Sequence, residues 1–177
     1  MTYIYKSNSP MGRLTIASDG QSITGLWLEG QKYYAATLGD DTSEKSLPIF
    51  EQAQKWLDIY WEGKNPDFKL PLAPMGSEFR QNVWEILLDI PFGTVITYGD
   101  IAKTLASRQE GKGVSAQAVG GAVGHNPISI IIPCHRVVGT GGSLTGYAGG
   151  IDKKISLLKL ESVNMDNLFV PKKGSAL

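Results

Sequence analysis

Lys69-Leu-Pro-Leu-Ala-Pro-Met-Gly76 places two prolines and a glycine within eight residues. Proline has no backbone N–H to give to a helix or a ladder, and glycine has no side chain to pack, so regular structure is not expected to run through this stretch. It reads as a linker, and the apolar spacing differs on its two sides. Before it, Leu14 and Ile16 alternate with polar residues, Ile23 and Leu26 do so less cleanly, and Asp19-Gly20 lies between them. That pattern predicts a β-hairpin turned at Asp-Gly, with Met1–Tyr5 as a further strand. From Phe50 the spacing turns helical through Ala53, Trp56, Leu57, Tyr60 and Trp61, until Gly63 and Pro66 stop it. After the linker, Ser77 is placed to cap a helix burying Phe79, Val83, Trp84, Leu87 and Leu88, closed by Ile90-Pro-Phe-Gly93. A short β-branched stretch, Val95–Tyr98, precedes helical spacing from Asp100 to Ser107. The expected fold is α/β (α+β): a small β-sheet-plus-helix domain over residues 1–72, then a mostly helical domain over residues 73–177.

A chain of 177 residues, 42% hydrophobic, fills one core of ordinary size or two small ones. Seventeen basic residues balance seventeen acidic ones, which excludes a protein held to nucleic acid by bulk charge. Residues 1–72 carry 7 basic and 9 acidic side chains and residues 73–177 carry 10 and 8, so a slight positive excess falls on the second part. The single cysteine excludes an internal disulfide, and with only two histidines a Cys/His zinc site is not expected. Met1–Pro10 lacks the apolar core of a signal peptide, and no apolar run approaches membrane-spanning length. The expectation is a soluble, cytoplasmic protein. Neither phosphate-binding glycine motif occurs, so no nucleotide cofactor is indicated.

Ser115 can cap a helix made of Ala116, Ala118, Val119, Gly120, Gly121, Ala122 and Val123, all small or short. With the preceding helix and its polar, glycine-bearing turn it forms either a helix-turn-helix or a simple packed pair. Small residues let a helix backbone press against a phosphate backbone, with Gln117 and backbone N–H groups as the grip. About four residues further on begins Ile128-Ser-Ile-Ile-Ile-Pro-Cys-His-Arg-Val-Val138. Its isoleucines do not alternate with polar residues, as expected of a strand buried on both faces, and Pro133 ends that strand. Cys134 is then either a small core hydrophobe or a nucleophile beside His135. Strand alternation would turn the two side chains apart unless the strand ends at Pro133. A glycine-rich loop with Tyr147 follows. Asp152 is then placed to cap a last helix through Ile155, Leu157, Leu158 and Leu160, with Glu161 at its end, and the chain from Ser162 reads as a loose tail.

Pro133-Cys-His-Arg-Val137, with Ala118-Val-Gly-Gly-Ala122 and Asn126-Pro127 before it, resembles the signature of the O6-alkylguanine-DNA alkyltransferases, the methylated-DNA–protein-cysteine methyltransferases. The likeness extends through Ile90-Pro-Phe-Gly-Thr-Val95, Thr97-Tyr98, Gly146-Tyr147, Gly149-Gly150 and Leu157-Leu158 with Glu161, nearly all of residues 77–161. It implies a ribonuclease H-like first domain and a winged-helix-like second one. It also implies DNA repair by direct reversal, in which the alkyl group of O6-alkylguanine in double-stranded DNA passes once and irreversibly to the protein's own cysteine. In that family the helix-turn-helix enters the minor groove and the damaged base is rotated out of the stack. By resemblance, Cys134 is the nucleophile, His135 takes its proton through a water, Glu161 orients that imidazole, and Asn126 braces the turn. Tyr98 serves the departing guanine. Val137, Tyr147, Ala148 and Gly149 line the base site, and Ser115, Ala116, Gln117 and Gly120 face the DNA. A monomer without cofactor is expected, the zinc site of some family members cannot form for want of ligands, and the range of alkyl groups and of O4-alkylthymine stays open.

Two departures stand out. Gln117 occupies the place of the family's usual arginine, and the turn Ser107–Val114 is longer than is common. Two other functions compete: a lesion-binding protein that performs no transfer, which Cys134 argues against, and a turning-over cysteine hydrolase, which needs an oxyanion hole.

Overall fold

A computed structural model describes residues 1–172. Residues 173–177, the end of the tail expected from Ser162, lie outside them. The chain forms two compact units: Met1–Met75 together with Pro127–Ser129, and Gly76–Asn126 together with the chain from Ile130 onward.

The first unit is a four-stranded sheet and one helix. Strands β1 (Thr2–Ser9), β2 (Gly12–Ser18), β3 (Ile23–Leu28) and β4 (Thr42–Glu44) lie in the order β3-β2-β1-β4, antiparallel except for β4 beside β1. The β2–β3 turn forms where Asp-Gly predicts it. The Asp19 carboxylate accepts the backbone N–H of Gln21 and of Ser22 at 2.9 and 2.8 Å, and Gly20 takes φ +104°. Helix α1 (Pro48–Trp61) starts on proline at its first turn and buries Ile49, Phe50, Ala53, Leu57 and Tyr60. Phe50 stacks on Tyr5 of β1 with centroids 5.6 Å apart.

The segment read as a linker does more than connect. Ile23 donates to Pro71 and accepts from Ala73, both at 2.8 Å, so Leu72 pairs along β3. Further along the same strand, Leu26 donates to Pro127 and accepts from Ser129, both at 2.9 Å. Those two short bridges cover the edge of β3, whose backbone groups would otherwise invite another chain.

The second unit is mostly helical. Helix α2 (Glu78–Leu88) is capped by Ser77, and its Trp84 indole donates to the Ala122 carbonyl at 2.9 Å. Leu88, expected in the core, is 47% exposed, because the buried stripe runs through Val83, Trp84, Ile86 and Leu87 instead. Strand β5 (Ile96–Thr97) passes directly into α3 (Tyr98–Arg108) through a reciprocal cap between Thr97 and Asp100. The turn after α3 carries left-handed Glu110 and Gly111, and α4 (Ala116–Gly124) begins at Ser115, which accepts the Ala118 N–H at 3.0 Å. Strand β6 (Val137–Val138) pairs parallel with β5, and α5 (Ile151–Leu160) closes the unit.

Three local readings are corrected. Ile130–Ile132 is buried but is not a strand: Ile130 has φ +72°, which turns the chain out of any ladder. The cap of α5 is Gly150, not Asp152, and its fully buried residues are Lys154, Leu157 and Leu158, with Ile155 half-buried against Leu158. Residues 163–169 of the expected tail are docked, with Leu144 donating to Phe169 at 2.8 Å and Phe169 to Gly142 at 3.1 Å. Val163, Met165 and Leu168 pack there on Val138, Leu144 and Leu158.

A methyl at Gly142 would lie 2.0 Å from the Asn167 carbonyl oxygen, on a residue at φ +93°. Gly142→Ala is therefore expected to destabilise the protein by about 2–3 kcal/mol. Amide exchange should quicken selectively at Leu144 and Phe169; unchanged protection there would refute the docking of the tail.

Candidate active site

Cys134 owes its position to what precedes it. Asn126 is buried at the end of α4 and its amide donates to the Ile132 carbonyl at 2.8 Å, closing the loop that leads to the cysteine. Pro133 then starts a 3-10 turn over Cys134–Arg136, with the Cys134 N–H bonded back to Ile132 at 2.8 Å. In a 3-10 turn successive side chains are about 120° apart rather than opposed. Cys134 and His135 are thus released from the alternation that a strand would impose. Cys134 is only 5% exposed.

His135 is completely buried, and its Nε2 bonds to the Glu161 carboxylate. Glu161 caps the C-terminus of α5, and its other oxygen accepts the Gly93 N–H at 3.0 Å and Arg136 Nε at 2.7 Å. Arg136 also donates to the Ile90 carbonyl at 2.7 Å and lies 5.7 Å from the centre of the Phe92 ring. Burial alone would raise the Glu161 carboxyl, but the hydrogen bond and charge of His135, followed by those of Arg136, outweigh it and hold it down to about 2. Burial pushes the His135 imidazole down, and Glu161 only partly offsets that. A neutral imidazole donating Nε2–H to an ionised Glu161 satisfies both.

Around this core stand the other candidates. Tyr98, the first residue of α3, donates its hydroxyl to the Thr145 carbonyl at 3.1 Å. Burial, then the facing Cys134, pushes it up to about 12, so it keeps its proton. The Tyr147 ring meets His135 edge-on at 6.5 Å, and its buried hydroxyl has no hydrogen-bond partner among the described residues. Ala148 and Gly149 form the half-buried turn that follows. The Val137 carbonyl accepts Lys154 Nζ at 2.5 Å. Ser115, Ala116 and Gln117 are exposed on the first turn of α4, whereas Gly120 is half-buried, 4.0 Å from the Tyr98 ring at the nearest point a Cβ would reach. His125 bonds back to the Gly121 carbonyl at 2.7 Å, as a residue of the turn.

The thiol itself departs from a freely ionised nucleophile. Burial pushes Cys134 up, while Asn126, Lys154 and nearby backbone N–H groups pull it back incompletely. At rest the site therefore holds a thiol and a neutral imidazole rather than an ion pair.

Comparison with known proteins settles the family. Residues 78–163 match the DNA-binding domain of 6-O-methylguanine DNA methyltransferase, and residues 1–74 match its ribonuclease-like domain. Over 166 residues the chain is 40% identical to the methylated-DNA–protein-cysteine methyltransferase of Haemophilus influenzae, covering 92% of this chain and 89% of that one. The chain belongs to the 6-O-methylguanine DNA methyltransferase family. It is also 40% identical over 154 residues to the Methanosarcina acetivorans methyltransferase, covering 86% of this chain and 94% of that one. Its fold matches Mycobacterium tuberculosis OGT crystallised in complex with DNA, at TM-score 0.77 and 40% identity, over 90% of this chain and 92% of that one.

In this member of the methyltransferase family two buried cations emerge that sequence reasoning passed over. Arg136 is one; a charge inside an otherwise apolar run was the signal for it. Lys154 is the other. It falls on one helical stripe with Leu157, Leu158 and Glu161, a spacing that marks it as inward-facing. Among the described residues no cluster of three metal-ligating side chains occurs, and no helix is long and apolar enough to cross a membrane.

Glu161→Gln would leave Arg136 buried without its anion, so a loss of about 3–5 kcal/mol is expected. In the native protein the folded Glu161 binds its proton far more weakly than the ordinary carboxyl of the unfolded chain, whose value is 4.5. Its stabilising share is therefore complete above about 4.5 and disappears as pH falls toward about 2. Denaturation across pH 2–6 should show the acid-range slope flattened in the variant; an unchanged slope would remove Glu161 from that role.

Proposed function

We propose that this chain repairs DNA by direct reversal, as a single-use methylated-DNA–protein-cysteine methyltransferase, with Cys134 as the acceptor. The observation that carries this reading is one cysteine set in a buried turn beside a neutral imidazole that an ionised, Arg136-anchored Glu161 orients. His135 takes the thiol proton through a bridging water. The sulfur then attacks the alkyl carbon of O6-alkylguanine in line: the S–C bond forms, the C–O6 bond breaks, and its electron pair leaves on the purine. Tyr98 exchanges its bond to Thr145 for one to the departing base and gives that base its proton, and the proton held by the imidazolium, relayed back, restores the tyrosine hydroxyl and leaves His135 neutral. The product is a neutral thioether that no water can hydrolyse, so the protein acts once.

The Val137 carbonyl receives the exocyclic amine of the base, the Ala148 N–H reaches O6, and Tyr147 and Gly149 wall the slot. Asn126 keeps the cysteine turn in register with α4, whose Ser115, Ala116, Gln117 and Gly120 meet the minor groove of double-stranded DNA. On this reading residues 1–72 are a structural domain and residues 73–177 carry DNA binding and transfer, in a cytoplasmic monomer. A protein that binds lesions without transfer is disfavoured, because it has no use for a cysteine braced in this way.

Incubation with duplex DNA bearing O6-methylguanine should add one methyl to Cys134 and saturate at one equivalent by intact mass. Tight binding without mass gain would favour the lesion binder, and multiple turnovers a hydrolase. Cys134→Ser should abolish transfer but keep lesion binding, since only the nucleophile is removed. Gln117→Arg should tighten DNA binding and steepen its salt dependence by about one counterion's worth, because an arginine there reaches phosphate. An unchanged slope would deny residue 117 that contact.

A further inference from the structure

Lys154 is the feature of the second unit that the proposed chemistry leaves unused. It is 0% exposed, and its Nζ donates to two neutral acceptors, the Val137 carbonyl at 2.5 Å and the Thr145 carbonyl at 2.8 Å. A buried ammonium without an anion is costly to keep. Among the described residues no carboxylate is paired with it, and Glu161 is committed to His135 and Arg136.

The ionisable groups around it narrow the choice of counter-ion. His135 and Arg136 on the 3-10 turn are basic and supply no anion. Tyr98 on α3 and Tyr147 on the glycine loop are both pushed up by burial first, and stay neutral. Cys134 remains. The charges of Cys134 and Lys154 act on one another in both directions, the lysine favouring the thiolate and the thiolate favouring the ammonium. Burial lowers Lys154 to about 8, which still leaves it mainly protonated at neutral pH.

Its two hydrogen bonds bear on the same slot. Val137 is the carbonyl offered to the base, and Thr145 is the carbonyl that also holds the Tyr98 hydroxyl. One ammonium thus joins β6 to the glycine loop and, through Thr145, to α3.

We propose that Lys154 is a positioning residue for alkyl transfer: its buried ammonium is the counter-ion that the Cys134 thiolate meets as it forms, and it ties together the Val137 and Thr145 carbonyls that frame the slot. The inference rests on Cys134 being the nucleophile. It is tested without any alkylguanine, so that its failure is distinct from failure of the repair reading.

The probe is iodoacetamide, which reports the thiolate of the only cysteine, followed by intact mass from pH 5 to 10. Lys154→Met is expected to slow alkylation at pH 7 about tenfold or more, with the rate recovering as pH rises, because one unit of thiol shift is a tenfold change in thiolate. Lys154→Arg, which keeps the charge, should restore most of that loss. A loss uniform across pH, or equal loss in both variants, would reduce Lys154 to packing and overturn the proposal. Should Lys154→Met not fold, the wild-type protein decides. Capping Cys134 with iodoacetamide removes the group whose charge raises Lys154, so the Lys154 titration followed by NMR at its side-chain Cε should move downward. A midpoint unmoved by capping would overturn the proposal equally.

Discussion

The Glu161 carboxylate holds the second unit together at the point where chemistry is expected. It accepts from His135, from Arg136 and from the Gly93 backbone, and so joins the end of α5, the 3-10 turn and the loop after α2. A buried carboxylate is tolerable only with such saturation, since each unsatisfied lone pair would carry its full desolvation cost. Gly93 is required by the same contact. Its φ is +77°, and a Cβ there would lie 3.1 Å from the Glu161 backbone oxygen. The Ile90-Pro-Phe-Gly93 run that ends α2 is thus both a helix stop and the donor loop of the site.

Position then follows from short connections. Helix α4 is anchored by Trp84 to α2 and carries Gly120 against the Tyr98 ring of α3. Asn126 at its end bonds into the loop before Cys134. A displacement of α4 would therefore be felt at Asn126 and at Tyr98 together. Small residues in α4 weaken it as an isolated helix, but they permit this close approach of its backbone.

Local chemistry was legible at one turn and two helix caps where a single residue sets the geometry, but not at Asp152, which does not cap α5. Asp19-Gly20 turned the hairpin, and Ser77 and Ser115 capped their helices as their types predict. Periodicity failed where an apolar run has no polar partner to set its phase. Ile130–Ile132 reads as a buried strand, but Ile130 takes a left-handed φ that is uncommon for a β-branched residue. The same blindness affected Lys154 and Arg136, because charge is ordinarily read as surface. The tail beyond Ser162 looked loose since its apolar residues, Val163, Met165 and Leu168, are too spread for either period, yet they pack as single plugs on Val138, Leu144 and Leu158. The family likeness supplied the roles of the site residues; the spacing of residues alone did not.

The resting electrostatics bear on how such a site can wait for its substrate. Burial keeps the Cys134 thiol and the His135 imidazole both neutral, so the protein does not store an exposed thiolate open to oxidation. Moving one proton between them creates two charges in a dry interior, where attraction and desolvation are both large. Each new charge finds a fixed opposite already in place, the imidazolium beside Glu161 and the thiolate near Lys154. Because Glu161 is held by Gly93 and Arg136, and Lys154 by two backbone carbonyls, little reorganisation is needed as the charges appear. On the proposed reading, reactivity is confined to the moment a base covers Cys134, while the same burial protects the sulfur in between.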